Sequence, residues 1–155
     1  MSVAERFENE PVNNALTHEI SDWLVRLDTN NVSERANTWA KHALLDWFGV
    51  TLAGSTEPLV DMLVEEYTAE AGGACTIVGR GRQSILSQAA LINGAASHAL
   101  DYDDVSRRLH GHPTVPVAPV VLALAEHLGA SGRDVLTAFI VGTEIECLIG
   151  EMAGH

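Results

Sequence analysis

Between His98 and Thr114 the chain reads His98-Ala-Leu-Asp101-Tyr-Asp103-Asp104-Val-Ser106-Arg107-Arg108-Leu-His110-Gly-His112-Pro-Thr114. Three carboxylates, two guanidinium groups and three imidazoles fall in this one stretch. A carboxylate beside an imidazole is the usual equipment for moving protons near neutral pH. Arginines, and the free N–H groups at the start of a following helix, suit the holding of a carboxylate or phosphate. Asp101 and His112 are the residues best placed for chemistry: one stands at a helix end, the other is fixed between Gly111 and Pro113. His98 and Arg108 are the least compelling members.

Each residue alone has a plainer explanation. Asp103 and Asp104 could cap a turn, Arg107 and Arg108 could be solvated, and His98 could be a satisfied core histidine. The density of the group, in a polar crossover between two apolar helices, favours function for the cluster as a whole. A second chemistry fits the same letters. His98, Asp101, Asp103, His110 and His112 could hold a divalent metal in an all-α hydrolase, although their spacing matches no tight ligand motif. The Asp-x-Asp-Asp run also resembles the proton donor of some terpene cyclases. His18, His42 and His127 are scattered along helices, where an ordinary surface position is the expected reading.

The elements that must position this cluster are helical. Residues 1–16 read as a loose polar leader. From residue 17 the spacing of Ile20, Trp23, Leu24 and Leu27 predicts a helix, closed by turn residues at 28–31. Ser33 is a candidate cap for the next helix, whose apolar stripe is Ala36, Trp39, Ala40, Ala43, Leu44 and Trp47. Gly49 and Gly54 weaken its end. A third helix restarts at Thr56-Glu57-Pro58, with Leu59, Met62, Leu63 and Tyr67 on one face, and stops at Gly72-Gly73. Residues 74–78 are the one convincing strand. Ser84 opens a helix through Ala99, whose small residues at 93–97 predict a closely packed central element. Pro116 suits the first turn of the following helix, which Gly129 ends. Ser131 and Asp134 form a capping box for the last helix, which runs to Met152. That helix is apolar nearly all round, so it should be buried on most sides.

Composition sets limits. The chain has 155 residues, enough for one domain, with 46% apolar and 5% aromatic side chains. A formal charge of −12 excludes a general nucleic-acid binder and disfavours docking on an anionic membrane. Cys75 and Cys147 are too few and too far apart for a disulfide framework, which points to a reducing compartment. The N-terminus lacks the basic-then-apolar pattern of a secretory signal, and the longest apolar run, 115–125, is too short to span a bilayer. A soluble, cytoplasmic protein is expected.

Several motifs, in order, resemble one family. The run from Ala90 to Asp104, followed by His110-Gly-His112-Pro-Thr114, is similar to the signature of the MmgE/PrpD family. Residues 39–54, 129–134 and 141–144 fit its neighbouring helices. The resemblance covers residues 17–155. It implies an all-α fold with at most one short strand here, as part of a large helical domain that pairs elsewhere with a smaller lid. It implies a lyase or isomerase acting on a small di- or tricarboxylate, as in 2-methylcitrate dehydratase, cis-aconitate decarboxylase and iminodisuccinate epimerase. It also implies a metal-free site, no cofactor, and a homodimer. By position, Asp101 would orient or accept from the reacting group, and His112 would serve as acid, base or carboxylate ligand. Asp104, Ser106, Arg107 and His110 are the candidate substrate-binding residues. The family often has threonine four residues after Asp101; here that residue is Val105, and Ser106 is the nearest hydroxyl. Arg107, Arg108 and His110 stand out as an insertion-like feature suited to an extra carboxylate.

Family members are much longer. Their lid, its lysine and a further histidine motif do not occur in these residues. The expectation is therefore an incomplete N-terminal helical domain over 17–155, inactive alone, completed by a second copy or a C-terminal part. The competing expectations are a split enzyme, a metal-dependent hydrolase, or a truncated non-catalytic helical module that self-associates.

Overall fold

Ser33 begins a helix of 21 residues by local chemistry. Its hydroxyl accepts from Ala36 N at 3.1 Å, satisfying a donor that the helix cannot. A computed structural model describes residues 16–27, 32–68 and 72–153. The element order is α1 (Leu16–Val25), α2 (Glu34–Gly54), α3 (Pro58–Thr68), β1 (Cys75–Ile77), β2 (Arg82–Ser84), α4 (Leu86–His98), α5 (Thr114–Leu128) and α6 (Gly132–Met152). The all-α class holds. The expected leader, apart from Leu16, and the turn at 28–31 lie outside the described residues, as do residues 154 and 155.

The two ends of α5 and α6 close as their residues dictate. Gly129 takes the left-handed conformation, φ 63°, at the end of α5. Ser131 and Asp134 form the full capping box of α6. The Ser131 hydroxyl and N–H hold the Asp134 carboxyl below the usual carboxylate range.

Helix α4 is the hub, packing on α2, α3, α5 and the hairpin. Two cores flank it. One joins Val60 and Val64 of α3, Cys75 and Ile77 of β1, Ile92 and Ala96 of α4, and Ala123 of α5. The other joins Ala40, Leu44 and Trp47 of α2, Ala118 of α5 and Phe139 of α6. The small residues of α4 permit this closeness. At Gly54 a Cβ would lie 2.1 Å from the Ala96 carbonyl oxygen, so α2 and α4 touch backbone to backbone.

Several expectations need correction. The strand at 75–77 has a partner, β2, paired antiparallel with Cys75 opposite Ser84. Ser84 therefore ends a strand, and Ile85 precedes α4. The buried amide of Asn93 staples this hairpin to α4, accepting from Val78 N at 2.9 Å and donating to Thr76 O at 2.8 Å. Trp39 is exposed, whereas Trp47 is fully buried. On α3 the buried face is Val60 and Val64, and Leu59 and Met62 point outward. Helix α2 runs through Gly49 and ends at Gly54, as the two glycines lead one to expect. Helix α6 buries Phe139, Cys147, Leu148 and Gly150 but exposes Ile149, a narrower buried face than its composition predicts. No helix among the described residues is long and apolar enough to cross a membrane.

Candidate active site

His98 is the last residue of α4, and the chain reverses immediately after it. Asp101 makes that reversal in the left-handed region, φ 55°, with its N–H bonded to the His98 carbonyl at 3.1 Å. Aspartate tolerates this conformation better than most residues. The turn drives Asp103 inward, leaving its side chain 2% exposed. Two residues before α5, His112 comes back to meet it.

Asp103 is the centre of the cluster. Its carboxylate lies 2.9 and 3.1 Å from His98 Nδ1. Its Oδ2 lies 2.9 Å from His112 Nδ1, although the approach lacks the alignment of a hydrogen bond. The two imidazoles meet edge to face, with centroids 4.8 Å apart. Asp101 Oδ1 stands 3.5 Å from His112 Nε2. Exposure is graded: Asp101 77%, His98 49% and His112 30%. A buried carboxylate thus bonds one ring and stands beside the other, and the Nε2 face of His112 turns toward a second, solvated carboxylate. An imidazole held in this way can take or give a proton through its other nitrogen.

The remaining candidates are placed otherwise. Asp104 accepts from Thr114 N at 3.2 Å and from Thr114 Oγ1 at 2.6 Å, so it caps the start of α5 from ten residues upstream. The residue at the cap position itself, Pro113, offers no side-chain hydrogen bond. Ser106 turns toward α6, its Oγ 3.7 Å from Cys147 Sγ, and accepts from Arg108 N at 3.2 Å. Arg107 and His110 line a recess of about 320 Å³ together with Arg108, Gly150 and Glu151. Arg108 is engaged by the protein itself. Its guanidinium donates to Glu144 at 2.7 and 2.9 Å and to Glu151 at 2.6 and 3.3 Å. An arginine so neutralised is not a free anion ligand.

One further carboxylate lies behind the loop. Glu146 has a buried Oε2 with no hydrogen-bond partner among the described residues. Burial first, and then the charge on Asp104, push its carboxyl above the usual range.

The structure therefore brings Asp101 and His112 together, and adds His98 and Asp103 to them. It sets Asp104, Ser106, Arg107 and His110 apart from that group. By sequence His98 is, with Arg108, among the least compelling members, because a lone histidine at a helix end has many ordinary uses. The readable signal was the His-x-x-Asp-x-Asp spacing across the end of a helix, which puts the reversal between the two acids.

Relatives carry the same region. The chain is 30% identical over 142 residues to the cis-aconitate decarboxylase of Aspergillus terreus, covering 88% of this chain and 29% of that protein. It is 29% identical over 139 residues to the cis-aconitate decarboxylase of Homo sapiens, covering 85% and 28%. A cis-aconitate decarboxylase-like protein of Aspergillus oryzae, oryM, is 28% identical over 145 residues, with 87% and 30% covered. This chain thus spans less than a third of the length of the relatives it matches. The family model of the MmgE/PrpD N-terminal domain matches residues 18–155, and the chain belongs to that family.

Proposed function

We propose that this chain supplies one wall of a proton-transfer site in a lyase or isomerase acting on a small di- or tricarboxylate, in the manner of 2-methylcitrate dehydratase. The observation that carries the reading is the Asp103 carboxylate buried between His98 and His112, with Asp101 beside His112 Nε2. Dehydration, decarboxylation and epimerisation of such acids all require a proton to be moved next to a carboxylate. His112 is the acid/base group, and Asp101 orients or accepts from the reacting group. Arg107 and His110, in their own recess, are placed to receive a more distant substrate carboxylate. Asp104 and Ser106 contribute by holding the loop. The cis-aconitate decarboxylases among the relatives support the substrate class. The protein is cytoplasmic and acts as a homodimer or with a C-terminal part, and the 155 residues alone bind without turnover.

The test is a titration of the chain with cis-aconitate, followed by the ring resonances of His112 in NMR spectra. Saturable shifts that vanish in Asp101→Asn are expected. Absence of any shift would sink the reading, and turnover of cis-aconitate or 2-methylcitrate would sink the claim of inactivity.

A second reading rests on a specific observation. His98, Asp101, Asp103 and His112 each present one ligand atom, all within 4.8 Å of one another. Two imidazoles and two carboxylates form a donor set for a divalent transition metal, as a metal-dependent hydrolase would need. In that case stoichiometric metal would bind and the carboxylate probe would not displace it.

A further inference from the structure

We infer that Arg108 is a positioning residue, which clamps the 106–111 hairpin onto α6 and thereby fixes His112. The chemistry assigned to His112 rests on the proposed function above; the clamp rests on contacts of its own.

The hairpin is closed at its base by Ser106 N donating to Gly111 O at 2.9 Å. His112 follows directly, and Pro113 behind it is buried against the start of α5. The position of the hairpin therefore sets the position of the imidazole. The hairpin tip carries Arg107, Arg108 and His110, and His110 sits at a costly φ of 56°. The hold comes from α6. Glu144 and Glu151 lie two turns apart on one helix face, and Arg108 bonds both. Only the planar fork of an arginine reaches two carboxylates in this way. The same helix makes room for the hairpin at Gly150, where a Cβ would lie 2.8 Å from Leu109 Cα and 3.0 Å from the Arg108 carbonyl oxygen. The Ser106 hydroxyl completes the clamp by accepting from Arg108 N. Consistent with a formed pair, Arg108 holds the Glu151 carboxyl below the usual carboxylate range.

Both neighbouring arginines are exposed at the recess, but they have different work: Arg107 carries no ion pair among the described residues. Arg108 has its charge balanced by α6 and acts on the site only through the backbone that leads to His112.

The experiment compares Arg108→Gln and Arg108→Lys with the parent chain by amide exchange and two-dimensional NMR. In Arg108→Gln, exchange of the Ser106 amide should quicken a few-fold, roughly two- to fivefold, the scale of an exposed ion-pair network lost. The His112 ring resonances should move with it, while the Val78 amide bound to Asn93 stays as it was. Arg108→Lys should fall between the two. If the parent binds cis-aconitate, Arg108→Gln should weaken that binding by about the same factor. If the parent does not bind it, the substrate reading fails, and the exchange and ring shifts still decide the clamp. Should Arg108→Gln not fold, the paired change Glu144→Gln and Glu151→Gln removes the clamp from the other side and must move the same resonances. A fall in Tm with Ser106 exchange and the His112 ring unchanged would overturn the inference.

Discussion

His98 and His112 present their Nδ1 atoms to one carboxylate, that of Asp103, each at 2.9 Å. One ring comes from the end of α4 and the other from the approach to α5. Because Asp103 is buried, it has little solvent to compete with the two rings, and the geometry of each depends on the same group.

Asp103→Asn should therefore disturb both imidazoles at once. We expect the ring resonances of His98 and His112 to move together, and the affinity for a cis-aconitate probe to fall about tenfold. Asp101→Asn should move His112 and leave His98 largely in place. A single ring moving in Asp103→Asn would show that the carboxylate is not shared.

Asp104 is read as a cap for α5. Asp104→Ala should cost about 1 kcal/mol of stability, the usual value of a lost helix cap. Thermal or urea unfolding measures it. An unchanged midpoint would return Asp104 to the substrate-binding residues.

Gly54→Ala tests the packing that sets the end of α4. The added Cβ would meet the Ala96 carbonyl at 2.1 Å and the Ala99 Cβ at 3.3 Å. Overpacking of this kind costs about 1–3 kcal/mol. It should also displace His98, two residues beyond Ala96, so a lower Tm and a shifted His98 ring are expected together. Either change without the other contradicts the coupling of this contact to the site.

Glu146 makes stability depend on pH in a defined direction. Its carboxyl is raised by burial and by Asp104, so the folded chain holds that proton more tightly than the unfolded one. The associated stability is complete below the unfolded value, about 4.3, and is lost as pH rises through the raised value. Glu146→Gln removes the dependence. Its Tm should exceed that of the parent at neutral pH, and the difference should vanish near pH 4. A gain of equal size at both pH values would rule out this assignment.

Metal removal separates the two readings of the cluster. Dialysis against a chelator should leave both Tm and cis-aconitate binding unchanged if the four residues transfer protons. A large fall in Tm, restored by one equivalent of a divalent transition metal, would favour the hydrolase.

Short-range interactions are legible in the order of residues. Ser33, the Ser131–Asp134 box and Gly129 act within one helical turn, so their caps are readable in the order of residues. The helix spans follow from apolar spacing, and the family from motifs that lie along the chain. Which side chains meet across the fold is set by long-range packing. Trp39 and Trp47 look alike in a helical stripe, but α5 and α6 cover one of them only. The run 82–84 becomes a strand because 75–77 lies beside it. Arg108 could have served a substrate until α6 placed Glu144 and Glu151 against it. His98 and Asp103 join His112 because the left-handed turn at Asp101 folds the chain back. Contacts of that kind depend on chain reversals and on the packing of distant elements, and residue spacing alone does not carry them.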